Sequence, residues 1–177
     1  MLGIEGFTLL SVGNLIELKG HHLVIDALVS LPDVRLCIAG HGLLEKNLRN
    51  QVTALNLNDR VTFLGLLNQQ NLRDYYAAAD SLVLASSREG WANVILESMA
   101  CGTPVIATPI WGTPEVVGTE GAGMLTDARS SKSIAAAIAQ LRENYPSRNH
   151  VRKYAEKFSW DETSDKLHVL FKSKVES

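Results

Sequence analysis

The chain has 177 residues, 46% of them hydrophobic, 6% aromatic and 20% charged, with a formal net charge of −2. That is enough apolar material for one sizeable core, and the near-neutral balance lacks the clustered basic, aromatic-interleaved surface of a nucleic-acid binder. Cys37 and Cys101 sit in apolar runs without metal-ligand spacing, as buried thiols of a reducing compartment do, and no signal peptide or long apolar span is present, so a soluble cytoplasmic domain is expected.

Hydrophobic periodicity and Gly/Pro punctuation divide the chain into alternating strands and helices. Residues 1–7 read as a linker and 8–177 as a single domain. Residues 8–12 form a short apolar strand that ends at Gly13 and opens into a loop carrying Asn14 and Lys19. A helix over 21–31 follows, with Leu23, Ala27, Leu28 and Leu31 as its buried stripe. His21 or His22 could cap it or approach a ligand, although an isolated His more often does neither. The near-continuous apolar run 34–39 is a central parallel strand covered on both faces. It ends in Gly40, His41 and Gly42, the start of a dinucleotide fingerprint; Glu45 occupies the third Gly position, which weakens a dehydrogenase reading.

The pattern continues with a helix over 43–55, a strand over 61–64 ending at Gly65, and a helix over 69–79 capped by Asn68. Tyr75 and Tyr76 on that last helix read as core. A strand over 81–85 precedes the most informative stretch, SSREGWANVILESMACGTPVIAT, and another begins at 105–108. Thr113 and Pro114 mark the entry of a further helix. A short strand over 123–125, a helix over 131–143 opened by Ser130 or Ser131, and helices over 149–158 and 160–174 complete the series.

In the informative stretch Glu89 and Glu97 are separated by seven residues that pass from a Gly-containing loop into an amphipathic helix. They straddle a strand-to-helix junction, where an open parallel sheet places its ligands. A helix starting near Trp91 or Ala92 offers free backbone N–H groups and a positive dipole end, a seat for phosphate formed by Gly90, Trp91, Ala92, Asn93 and Val94. Glu97, one to two turns in, is spaced to accept from a diol such as ribose. Glu89, beside a diphosphate, makes sense only if it addresses a neutral sugar. The plainer alternative is a solvated loop glutamate and an exposed helix glutamate.

Together with VGNLIELKG near the start, EGWANVILESMACGTPVIA resembles the C-terminal half of the retaining glycosyltransferases of family 4, which have the GT-B architecture. The resemblance extends over residues 9–171. It implies a Rossmann-like α/β three-layer sandwich of about six parallel strands in the order 3-2-1-4-5-6, with helices on both faces, forming one half of a GT-B fold. It also implies that an acceptor-binding N-terminal domain lies outside this chain, with helices over 149–177 packing toward it. By resemblance, Glu89 contacts the donor sugar and Glu97 the ribose, and Lys19 pairs with the diphosphate. Asn14 stands where the family usually has Arg, a weaker, neutral donor. The loop of Gly40 and Gly42 borders the nucleotide, backbone near Leu66 reads the base, and Glu115 faces the donor. Trp111 is read equally as a sugar-stacking indole or as filler of the seam between domains.

These readings make the chain the donor domain of a glycosyltransferase moving a hexose from a nucleoside-diphosphate sugar to a saccharide or lipid-linked acceptor. Glu89 and Lys19 carry the catalytic roles. No Asp-x-Asp occurs, so chemistry without a metal or other cofactor is expected, with UDP favoured over GDP. The partners expected are the nucleotide sugar and, through the absent domain, an acceptor glycan or glycolipid. Any contact with the inner face of a membrane is expected to come through that absent part, and nucleic acid is not a partner. The competing hypotheses are a GT-B-type sugar-nucleotide epimerase and a non-catalytic Rossmann module.

Overall fold

Short runs of Val, Leu and Ile, each too brief for a helix and each bounded by Gly, Pro, Asn or Asp, become strands covered on both sides. The computed structural model describes residues 6–89, 93–118, 121–158 and 172. Six strands, β1 (Phe7–Val12), β2 (Val34–Ala39), β3 (Val61–Gly65), β4 (Ser81–Leu84), β5 (Val105–Ala107) and β6 (Gly123–Leu125), form one sheet. It is parallel throughout, in the order β3-β2-β1-β4-β5-β6. The helices are α1 (His21–Ala27), α2 (Glu45–Ala54), α3 (Gln69–Ala78), α4 (Asn93–Ala100), α5 (Thr113–Val117), α6 (Ser131–Glu143) and α7 (Arg148–Ala155).

Residue parity along the strands separates two cores. Leu9, Leu36, Ile38, Val83 and Ile106 face one side and pack under α1, α2 and α6. Their neighbours Leu10, Cys37, Ala39, Leu82, Leu84, Val105 and Ala107 face the other and pack under α3, α4, α5 and α7. This period of two gives a three-layer α/β sandwich from one sheet. Each fully buried Leu or Ile contributes roughly 1.5–3 kcal/mol relative to its exposed form.

The sequence boundaries hold at β2, β6 and α6, and the Asn68 and Ser130 side chains accept from Asn71 N and Ser133 N as caps. The predicted helix over 21–31 divides instead: α1 ends at Ala27 and the chain tightens into a 3₁₀ turn, Leu28–Ser30. Pro32 explains the stop, since the residue before proline is pushed out of the helical region, and Leu31 sits at φ −128°, ψ 76°. Within the 149–177 segment, α7 buries Val151, Tyr154 and Ala155 in this domain's own second core. The helix expected over 160–174 lies outside the described residues. Among the described residues no helix is long and apolar enough to cross a membrane.

The chain runs outward from β1 to β2 and β3, then returns through α3 to place β4 on the other side of β1. The strand order therefore reverses between β1 and β4, and the loops beyond their C-terminal ends flank a crevice.

Candidate functional site

The β1 loop brings Lys19 to that crevice and the β4 loop brings Glu89. A 3₁₀ turn, Glu17–Lys19, is closed by Gly20 at φ 68° and leads into α1. Gly20 is required twice, for its left-handed backbone and for space: a Cβ there would lie 2.2 Å from Ala85 O. With the two loops this close, Lys19 Nζ reaches Glu89 Oε1 at 2.5 Å, across 70 residues of sequence. Ser86 Oγ donates to the same Oε1 at 2.6 Å. Glu89 Oε2 takes no hydrogen bond from the described residues. The pair is half-buried, the side chains of Lys19 and Glu89 being 24% and 11% exposed.

Further bonds lock the two loops together. Ser87 N donates to Leu18 O at 2.8 Å, and Thr108 Oγ1, just past β5, holds the β4 loop through Ser86 O at 2.6 Å. Arg129, from the segment after β6, donates through Nε to Ala85 O at 2.9 Å and through Nη2 to Glu17 O at 3.0 Å. Nothing in the sequence pattern marks Ser86 or Arg129 as part of the site. Both act through contacts with loops distant in sequence or through side-chain geometry, which local pattern does not encode.

Gly13 ends β1 with φ 146°, and the aliphatic stem of Lys19 lies over it, 3.3 Å from where a Cβ would stand. Asn14 is exposed on the same loop. The space at Gly40 and Gly42 is taken by the protein itself: a Cβ at Gly40 would meet Gly13 O at 1.9 Å, and one at Gly42 would meet Leu15 O at 2.6 Å. The observed need for these two glycines is contact between the β1 and β2 loops. Leu66, just beyond β3, is 70% exposed.

Of the anticipated phosphate seat, Gly90, Trp91 and Ala92 lie outside the described residues. Asn93, exposed, and Val94, half-buried, open α4. Glu97 is the fifth residue of α4 and exposed, and its carboxylate is anchored: Tyr76 Oη donates to Oε2 at 3.0 Å. Beyond β5, Trp111 is 68% exposed at φ 44°, with the Arg88 guanidinium 5.6 Å from its ring centre. Glu115 is exposed in the first turn of α5. Lys19, Glu89, Trp111 and Glu115 thus follow the C-terminal ends of β1, β4 and β5, on one edge of the sheet.

Beneath the β1 loop, His21 is buried, with Nδ1 2.9 Å from Ser11 Oγ and Nε2 lacking a hydrogen-bond partner. Desolvation lowers its pKa to about 4, so the ring is neutral at pH 7. It is a buried group beside the backbone of Gly13 and Asn14, and it does not cap α1. Cys37 and Cys101 are free, and burial pushes both thiols up. Among the described residues no three His, Cys, Asp or Glu side chains gather as a metal site.

The family model for glycosyl transferases group 1 matches residues 4–158. The lipopolysaccharide core biosynthesis glycosyltransferase LpsE of Rhizobium meliloti is 38% identical over 75% of this chain and 38% of its own length. The D-inositol 3-phosphate glycosyltransferase of Mycobacteroides abscessus is 34% identical over 88% of this chain and 37% of its own. Among solved structures, Anabaena HepE in complex with UDP superposes with a TM-score of 0.84 at 28% identity, over 95% of this chain and 49% of that one. HepE has also been solved with UDP-glucose. The chain therefore spans about 38% of the length of the curated relatives it matches.

Proposed function

The chain belongs to the glycosyl transferases group 1, and from that premise we propose that it is the donor domain of a retaining hexosyltransferase. It would bind a nucleoside-diphosphate sugar, UDP-linked in preference to GDP-linked, for transfer to a saccharide or lipid-linked acceptor held by another part of the protein. The observation that carries this reading is the Lys19–Glu89 pair at the reversal of strand order. The UDP and UDP-glucose complexes of the structurally similar HepE support it.

In this account the diphosphate lies against Lys19 and the start of α4. The ammonium has three protons, so it can keep one on Glu89 and give another to a phosphate oxygen. Glu89 Oε2 accepts from a sugar hydroxyl, and Glu97 Oε1 from the ribose. When the bond from the anomeric carbon to the phosphate oxygen breaks, its electron pair goes to the diphosphate. Lys19 and the helix end meet that charge without reorganising, and no metal or other cofactor is required. The acceptor hydroxyl oxygen bonds to the anomeric carbon on the same face, for retention, and its proton passes to the departing diphosphate oxygen. Glu89 orients the donor in this scheme, and Asn14 adds a neutral donor beside the phosphates.

Trp111 and Glu115 are assigned to the sugar end of the same cleft. If the indole stacks on the sugar, Trp111→Ala weakens UDP-glucose and leaves UDP unchanged. An equal effect on both ligands places it at the seam between domains. The reading as a whole is tested by amide chemical-shift mapping during titration with UDP-glucose. Shifts concentrated at residues 13–20, 86–97 and 111–115 are expected. Shifts elsewhere, or none at millimolar ligand, overturn it in favour of a non-catalytic module.

A further inference from the structure

Between α3 and α4 lies a pocket of about 260 Å³, lined by Gln69, Leu72, Arg73, Tyr76, Glu97 and Cys101. Two of its lining residues are joined, Tyr76 Oη to Glu97 Oε2. They differ in freedom. Glu97 is an exposed helix residue with three side-chain torsions to choose from, whereas Tyr76 is 2% exposed in the second core. The Tyr76 carbonyl accepts from Thr103 Oγ1 at 2.6 Å, and Thr103 Oγ1 accepts in turn from Arg148 Nη1 at 2.9 Å. With its ring buried and its carbonyl anchored in this way, Tyr76 is the more constrained partner of the pair.

A phenol has one proton to give, and here it goes to Oε2. Burial and the adjacent carboxylate raise the Tyr76 pKa, so that proton stays in place across the physiological range. Glu97 Oε1 takes no hydrogen bond from the described residues, on a residue that is exposed as a whole. A carboxylate with one oxygen satisfied from beneath and the other free is preorganised to accept from a hydroxyl-bearing ligand.

We infer that Tyr76 is a positioning residue for nucleotide recognition, aiming the Glu97 carboxylate so that the chain prefers a ribonucleotide to its deoxy counterpart. This rests on the assignment of Glu97 to the ribose made above. A purely structural Tyr76 would use Glu97 only to satisfy a buried hydroxyl, and its removal would affect all nucleotides alike.

Calorimetric titration with UDP and with 2′,3′-dideoxy-UDP separates the cases, read on the native chain, Tyr76→Phe and Glu97→Asp. The native chain is expected to prefer UDP by about tenfold, the scale of one hydrogen bond to a charged acceptor. Tyr76→Phe should retain the native affinity for the dideoxy ligand and reduce the preference to about threefold or less. Glu97→Asp keeps the charge and the buried phenol but is one methylene short of reaching both partners, and should lose the preference in the same way. If either variant keeps the full preference, whether or not stability falls, Tyr76 does not position the acceptor. If the native chain shows no preference between the ligands it binds, or Glu97→Ala leaves the preference intact, the ribose assignment itself fails and the inference with it.

Discussion

Lys19 and Glu89 satisfy one another before any ligand arrives, so their contributions to stability and to binding are coupled. Removing either leaves its partner half-buried without a counter-charge. Lys19→Met or Glu89→Gln is expected to cost about 1–2 kcal/mol, less than a fully buried pair would, because water screens both groups. The double substitution should cost less than the sum, with a coupling of about 1 kcal/mol. Urea unfolding of the four proteins measures it, and strict additivity would mean the contact does not hold in solution.

His21 gives the protein a stability that depends on pH. Its folded pKa of about 4 lies below the usual histidine value near 6.5, so the folded chain binds fewer protons than the unfolded one. The associated stability is fully present above pH 6.5 and is lost as pH falls toward 4, by on the order of 2–4 kcal/mol in total. Denaturant unfolding between pH 7 and 4.5 should show a steeper loss in the native chain than in His21→Gln. Parallel curves would contradict the burial of a neutral ring.

At the scale of elements, the loops matter more than the helices they join. Arg129 bonds the carbonyls that precede Lys19 and Glu89 on their respective loops, Glu17 O and Ala85 O. Arg129→Met removes both bonds while keeping much of the packed stem. Nucleotide affinity is expected to fall about tenfold, with a stability loss of only about 1–2 kcal/mol. An affinity unchanged by that substitution would show that the loops hold their spacing without the arginine. Gly20→Ala should act more severely, because its methyl group would enter the Ala85 carbonyl.

Elements were legible where one physical signal decided them. The run VRLCIA is apolar throughout because both its faces are covered, and Ser130 caps α6 as its position ahead of the apolar stripe indicates. The carboxylates were legible because seven residues set Glu89 at a loop and Glu97 on a helix whatever the rest of the chain does. Their partners were not. Tyr76, read simply as core, is core except for its hydroxyl, and only the crossing of α3 with α4 shows where that hydroxyl points. Gly40 and Gly42 look like a nucleotide loop in sequence, yet the space they provide is first needed by Gly13 and Leu15.

For the whole molecule, the sheet places four elements of the candidate site on one edge: the ends of β1, β4 and β5 and the start of α4. Exposed Leu18, Leu43, Leu66 and Trp111 all belong to loops at this edge. The chain spans about 38% of its relatives' length, and under the proposed function this apolar rim would border the part of the protein that holds the acceptor. Closure against that part would strengthen binding, so the chain alone should bind its nucleotide weakly.

A donor site between β1 and β4 is probed by calorimetric titration of this chain with UDP and GDP in the presence of a chelator, repeated on Lys19→Ala and Glu97→Ala. Weak binding of UDP ahead of GDP without metal is expected, reduced at least about tenfold by each substitution. Absence of binding by either nucleotide at millimolar concentration, or binding that both variants retain, would contradict a metal-independent diphosphate and ribose site between β1 and β4.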